Sequence, residues 1–204
     1  MSKEDVTPEI MIDTPAPDFE LESVQGPVIR LADYHDKSHV LLWFSRGFTC
    51  PFCRRYMAQL NQALDQFQSA DTQIVQIAPN LLDRARMYFK RQPLGFPFLC
   101  DSSSETFYRF GLLNLGPIEA TKNGIYSFAY AYTHGDGINT TRASFLDTFS
   151  SSIVGRFKHH ATEALQQGVF VIDRQGIVRY AKALGPVETI PPIEELLREV
   201  QKLS

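Results

Sequence analysis

Apolar and polar positions alternate with two different periods along this chain. His39-Val40-Leu41-Leu42-Trp43-Phe44 is a continuous, largely apolar run of strand length, the pattern of a central strand covered on both faces. From Pro51 onward the period changes: Met57, Leu60, Leu64 and Phe67 recur at three- and four-residue spacing, which predicts an amphipathic helix of about 18 residues. A second unit repeats the order, with a strand over 72–78, a break at Pro79-Asn80 and a helix over 81–91 that turns Leu82, Ala85, Tyr88 and Phe89 inward. Strands alternating with helices imply parallel strands joined by right-handed crossovers, and so an α/β fold.

The flanks add antiparallel pieces. Residues 1–15 are polar and punctuated by proline, as expected of an arm over the surface. Alternation in Phe19-Glu20-Leu21-Glu22 and a second run, Pro27 to Leu31, on either side of Gln25-Gly26 predict an N-terminal hairpin. Phe96 to Asp101 reads as a short strand, and Asp101-Ser102-Ser103-Ser104 as the cap of a helix through Phe107, Phe110 and Leu112. Val169-Phe170-Val171-Ile172-Asp173, the turn Arg174-Gln175-Gly176 and Ile177-Val178-Arg179-Tyr180-Ala181 form a final hairpin. A last helix over 193–203 carries Ile193, Leu196, Leu197 and Val200 as its buried stripe. Between 113 and 167 lies an aromatic segment, a His134-Gly135-Asp136-Gly137 turn and a helical candidate over 144–165. The expectation there is an insertion of two helices and a loop packed on the same core, with no chemistry assigned.

Composition narrows the class without changing the fold. At 204 residues the whole chain, 1–204, is expected to form one domain, with 44% hydrophobic and 21% charged residues as in ordinary globular proteins. A net charge of -3 without a basic block argues against nucleic acid or an anionic membrane as partner. The N-terminus lacks a basic flank leading into an apolar core, and no apolar run approaches the roughly 18 residues of a membrane span; a cytoplasmic protein is expected.

Two of the three cysteines stand at the junction of the central strand and the helix, in Phe44-Ser45-Arg46-Gly47-Phe48-Thr49-Cys50-Pro51-Phe52-Cys53-Arg54-Arg55. An odd number of cysteines is no disulfide scaffold, and in a reducing compartment a close pair reads as redox-active or metal-bound. Cys50 falls near a helix N-terminus, where unpaired N–H groups and the macrodipole favour a thiolate. Pro51 suits the first helical position. Arg46, Arg54 and Arg55 add positive charge and are expected to lower the Cys50 pKa. Cys53 lies one turn on along the same face, within reach of a disulfide after a modest adjustment. Cys50 is expected at the exposed end as the attacking sulfur, with Cys53 deeper as the resolving one. A zinc site needs four ligands, and the sequence offers no second Cys pair, so no metal is expected. Cys100 ends a strand pointing to the same sheet edge and reads as core, with an auxiliary resolving thiol as the alternative. His134 and the pair His159-His160 read as surface positions.

These residues resemble the AhpC/TSA peroxiredoxin superfamily. Ala16-Pro17-Asp18-Phe19 is similar to its N-terminal signature, Phe96-Pro97-Phe98-Leu99-Cys100-Asp101 to its Phe-Pro-(apolar)-(apolar)-Ser-Asp strand, and residues 168–176 to its final hairpin. Phe44 to Cys53 resembles the Phe-Tyr-Arg-Gly-Gly-Trp-Cys-Pro-Tyr-Cys pattern of the peroxiredoxin-like branch. The resemblance implies a thioredoxin-like fold, a central mixed β-sheet flanked by helices, with an N-terminal β-hairpin and a helical insertion at 113–167 before the final hairpin. It departs from the standard pattern at three places: Trp43 and Gly47 replace the Pro and the Thr or Ser that precede the peroxidatic cysteine, and Gln167 replaces an arginine.

The implied function is a thiol-dependent redox enzyme in which Cys50 reduces a peroxide, passes through a sulfenic acid and is resolved by Cys53, with Arg46 steadying the thiolate or a substrate oxygen. No cofactor is implied; a thioredoxin- or glutathione-type reductant is. A disulfide oxidoreductase acting on protein or small-molecule disulfides, and a non-catalytic redox sensor, stay open beside it. A homodimer is among the assemblies the resemblance allows.

Overall fold

The computed structural model describes residues 12–148, 164–185 and 189–203, and for 145–148 the backbone alone. Five strands form the central sheet in the order β5-β4-β3-β6-β7: β3 (His39–Phe44), β4 (Thr72–Ala78), β5 (Phe98–Cys100), β6 (Gln167–Ile172) and β7 (Val178–Leu184). β3, β4 and β5 run parallel, while β6 is antiparallel to β3 and β7 antiparallel to β6. A separate antiparallel pair, β1 (Glu20–Glu22) and β2 (Val28–Arg30), makes the N-terminal hairpin. The result is the mixed, thioredoxin-like sheet that the sequence implies.

Every residue of β3 is buried, because both faces of the sheet are covered. Leu41 and Trp43 point to one side and pack with Met57, Leu60 and Phe67 from α1 (Pro51–Gln62) and α2 (Leu64–Ser69), and with Leu196 and Val200 from the last helix, α7 (Ile193–Gln201). Val40, Leu42 and Phe44 point to the other, where Phe44 meets Phe107, Phe110 and Phe170 edge-on or tilted. The period-2 alternation of a strand thus feeds two cores. Strand β3 is also the axis that delivers the chain to Cys50.

Four expectations need correction. The long helix after Pro51 is two helices: at Ala63 (φ -92°, ψ 4°) the backbone enters the bridge region and its N–H is shared by the Gln59 and Leu60 carbonyls, yet Leu60 and Phe67 both stay fully buried. After β4 comes α3 (Leu82–Phe89), and the helix after Asp101 is only α4 (Glu105–Arg109), with Ser104 left-handed before it and the Asp101 carboxylate accepting from the Thr106 N–H at 2.8 Å. In the insertion, α5 (Gly116–Thr133) and α6 (Gly137–Thr148) flank the predicted turn, so the second helix starts at Gly137 instead of 144; residues 149–163, with His159 and His160, lie outside the described residues. Nor does α5 turn its aromatic residues to the sheet: Ile125, Tyr126, Phe128 and Tyr132 are at least half exposed, and the insertion meets the core at Ala143 of α6 and at Leu165. The end of the predicted arm is held as well, by Asp13 N–H to Val178 O and Ala16 N–H to Gly176 O, both 2.8 Å; residues 1–11 lie outside the described residues. Among the described residues no helix is long and apolar enough to cross a membrane.

Candidate active site

The loop between β3 and α1 is fixed from below by buried polar groups. The Ser45 N–H donates to Ile77 O, and its hydroxyl accepts from the Gly47 N–H at 3.1 Å and from Gln76 Nε2 at 2.7 Å. Gly47 then takes φ +84°, and its carbonyl accepts the Cys50 N–H at 3.3 Å. A Cβ at Gly47 would lie 1.7 Å from Oδ1 of Asn80, a residue 1% exposed whose side-chain amide has no partner. The close approach of Asn80 and the left-handed backbone both require glycine here. They also explain why the threonine or serine of the standard pattern has no room at this position.

Cys50 is the N-cap of α1 and Pro51 its first residue, as expected. The Cys50 sulfur accepts the Cys53 N–H at 3.3 Å. Burial pushes the Cys50 thiol up, but a hydrogen bond from the Cys53 side chain, the Arg46 charge and the N–H groups of Cys53 and Phe52 outweigh it and bring the pKa down to about 6. Cys53 goes the other way, held well above its ordinary value by burial and then by the neighbouring Cys50. Its thiol has two acceptors in reach, the Cys50 sulfur and Gln167 Oε1 at 3.5 Å, and donation to the thiolate is the bond that stabilises Cys50. The arrangement is a thiolate at the helix tip backed by a protonated thiol one turn deeper.

Arg46 is half-buried, its guanidinium 5.9 Å from the centre of the Phe52 ring and its Nε buried without a hydrogen-bond partner. Burial disfavours its charge, and the two cysteine sulfurs more than offset that. Arg54 and Arg55 do not do what the sequence suggested. Arg54 reaches back to the carbonyls of Phe48 and Thr49 and pairs with Asp136, while Arg55 donates to Tyr130 Oη at 2.8 Å. Cys50 is not at an exposed end either: it is 5% exposed and Cys53 is 0%. Cys100 ends β5 at the same sheet edge, half-buried against the core.

Beside the pair lies a cavity of ≈ 400 Å³ between α1 and α5. Gln167 and Tyr56 are its buried lining, Arg46 and Phe52 are half-buried, and Arg55 and Tyr126 are exposed at its rim. The insertion was assigned no chemistry, yet Tyr126 and Tyr130 cover Phe52 at ring-centre distances of 5.4 and 4.0 Å. Their i, i+4 spacing was the available signal. No group of three or more His, Cys, Asp or Glu side chains that could hold a metal occurs among the described residues.

Comparison with known proteins places this geometry. The model of the AhpC/TSA family matches residues 12–181. A protein of Mycobacterium tuberculosis that carries the name of a peroxiredoxin is 28% identical over 96 residues, 47% of this chain and 60% of its own length. The thiol-disulfide oxidoreductase ResA of Geobacillus thermodenitrificans is 28% identical over 122 residues, 56% of this chain and 66% of its own. These matches therefore span about two thirds or less of the curated relatives. The crystal structure of peroxidoxin BcpB from Mycobacterium tuberculosis superposes with a TM-score of 0.63 at 14% identity, over 95% of this chain and 97% of that one, a likeness of fold.

Proposed function

This chain belongs to the AhpC/TSA family, and from that premise we propose that it is a thiol-dependent oxidoreductase of the thiol-peroxidase type. The observation that carries the reading is the Cys50 sulfur at the α1 N-cap with its pKa drawn down to about 6. At neutral pH that sulfur is a thiolate. It attacks the terminal oxygen of a hydroperoxide, the O–O bond breaks, and the departing alkoxide or hydroxide takes a proton as alcohol or water. The Cys53 thiol condenses with the resulting sulfenic acid, releasing water and closing a disulfide. A thioredoxin-type dithiol, or two glutathione-type monothiols in succession, reopens that disulfide by thiol–disulfide exchange, returning two electrons and two protons and leaving as the reductant's own disulfide. Arg46 steadies the thiolate and presents its unpartnered Nε to an incoming oxygen. We place the protein in the cytoplasm, with a homodimer as the assembly to test by sedimentation.

Mass spectrometry after one molar equivalent of hydrogen peroxide, with and without a thioredoxin system, tests this. Wild type should gain a reducible Cys50–Cys53 disulfide, Cys53→Ser a sulfenic acid on Cys50 that dimedone traps, and Cys50→Ser nothing. Ordinary peroxide turnover by Cys50→Ser overturns the reading.

A second reading, thiol-disulfide exchange with an external disulfide, is favoured by the packing of Asn80 against Gly47 and by Gln167 at the place of an arginine. Both remove groups that would polarise a peroxide. ResA, a relative of this chain, is a thiol-disulfide oxidoreductase by name. Insulin reduction measured beside peroxide consumption separates the two. For a non-catalytic sensor, an unactivated Cys50 titrating at 8.5 or above would be expected.

A further inference from the structure

The cavity between α1 and α5 is far larger than a small peroxide requires. Its ≈ 400 Å³ lies in the range of small-molecule pockets, on the order of ten times the share of liquid volume that one water occupies. Its chemistry is also one-sided. Phe52, Tyr56, Tyr126 and Tyr130 supply aromatic surface, and among the described residues that line it the charged ones are two arginines, Arg46 and Arg55, with no carboxylate, in a chain whose net charge is -3. On α1 the contributors Phe52, Arg55, Tyr56 and Gln59 share one helix face; on α5 Tyr126 and Tyr130 stand one turn apart opposite them.

Three features select the occupant. Phe52 and Tyr126 are stacked with an interplanar angle of 8°, and Tyr126 is half exposed, which leaves flat π-surface available to another ring. Arg55 is exposed and already oriented by Tyr130 Oη at 2.8 Å, which leaves its other N–H groups for an anion at the rim. Arg46 Nε is buried and lacks an acceptor, so an oxygen or other acceptor entering from the cavity would complete it. The inner residues Arg46 and Gln167 are those that interact with the cysteine pair.

We propose that this cavity is a binding site for a planar aromatic carboxylate, its ring against Phe52, Tyr126 and Tyr130 and its carboxylate on Arg55, and that such a group is the organic part of the oxidant on which the cysteines act. The second half rests on the redox reading above. The first half does not. With an aromatic disulfide as oxidant, the Cys50 thiolate attacks one sulfur, the S–S bond breaks, and an aryl thiolate leaves with the electron pair. Cys53 then loses its proton to solvent, attacks the mixed disulfide on Cys50 and releases the aryl thiolate held there.

Two measurements separate the halves. Isothermal titration of the reduced protein with 2-naphthoate and its neutral isostere 2-naphthamide reads the site without any turnover. The carboxylate should bind at least tenfold more tightly, Arg55→Gln should abolish that preference, and Tyr126→Ala should weaken both compounds. Binding of the two within twofold of each other, no binding at millimolar concentration, or an undiminished preference in Arg55→Gln overturns the site. In a Cys100→Ser background, the rate of oxidation by 5,5′-dithiobis(2-nitrobenzoate) is compared with that by neutral 4,4′-dithiodipyridine. A saturable rate with the anionic reagent, and a roughly tenfold fall in the anionic-to-neutral ratio in Arg55→Gln, support the oxidant assignment. Tight naphthoate binding with no reaction at Cys50 overturns the redox reading while the site stands, and reaction without saturation or preference overturns the site's role in delivering the oxidant.

Discussion

Arg46 differs from the two arginines that follow the motif because it has nowhere else to put its charge. Arg54 is spent on the Phe48 and Thr49 carbonyls and Asp136, and Arg55 is turned to Tyr130, whereas Arg46 faces both sulfurs from a half-buried position. The rate of Cys50 alkylation against pH should therefore reach half its maximum near pH 6 in wild type, following the thiolate. Removing a nearby opposite charge shifts a titration by about 1–3 units, so Arg46→Gln should move that midpoint upward by a comparable amount and slow alkylation at pH 6 to 7. An unchanged midpoint would show that the helix tip and Cys53 alone hold the thiolate. Gly47 is a second residue whose role is set by its surroundings. In Gly47→Ala the left-handed backbone costs about 1–2 kcal/mol and the overlap with Asn80 a further 1–3 kcal/mol or so. Thermal unfolding of Gly47→Ala, Asn80→Ala and the double variant should show the double variant recovering only the overlap, since the positive φ remains.

At the scale of elements, α5 meets the redox helix through the Phe52, Tyr126 and Tyr130 rings, and the turn after it and α6 add a polar attachment. Arg54 of α1 pairs with Asp136 in the turn between α5 and α6 and donates to Thr140 of α6, with side-chain exposure of only 10% for Arg54 and 29% for Asp136. Removing one partner of a fully buried pair costs about 3–5 kcal/mol. Here Arg54 keeps two carbonyls and a hydroxyl, so Asp136→Ala should cost nearer 1.5–3 kcal/mol, the worth of a charged hydrogen bond. Urea unfolding checks the magnitude, and amide hydrogen exchange should quicken in α5 and α6 ahead of the sheet. Equal exchange throughout would mean that the insertion is held some other way. This polar attachment also explains which elements were legible in the sequence. β3, β4, the final hairpin and the start of α1 announce themselves because burial on a sheet imposes unbroken or alternating apolar runs, and Cys50-Pro51 carries a cap signal of its own. α5 escapes that logic: its aromatic residues are largely exposed, so their order along the chain follows no core period, and the insertion reaches the core elsewhere, at Ala143 and Leu165. The redirection of Arg54 and Arg55 was likewise invisible, because their acceptors Asp136 and Tyr130 stand 82 and 75 residues away.

For the whole molecule the cysteine pair links redox state, pH and stability. A thiol in the unfolded chain titrates near 8.5, whereas Cys50 in the folded, reduced protein titrates at about 6. Between those values the unfolded chain holds one proton more, so the stability of the reduced protein rises with pH by about 1.4 kcal/mol per unit. That contribution is complete above the unfolded value and is lost as the pH falls through about 6. Cys53 has the opposite sign: its pKa is raised, so its share is present below the unfolded value and is lost above it. The reduced protein should thus gain on Cys50→Ser between pH 6 and 8 and stop gaining beyond about 8.5. Urea midpoints of both proteins, kept reduced, give the difference, and any pH-independent effect of the serine cancels. The disulfide form carries neither titration and should lack this slope. The same free energy sets the potential: a thiolate stabilised in the folded state favours the dithiol and makes the disulfide more oxidising. Raising the Cys50 pKa through Arg46→Gln should therefore lower the reduction potential at pH 7, by roughly 30 mV for each 1.4 kcal/mol of thiolate stabilisation lost. A glutathione redox titration of both proteins checks this. A potential that stays fixed while the alkylation midpoint moves would mean that Arg46 acts on the disulfide form as strongly as on the thiolate.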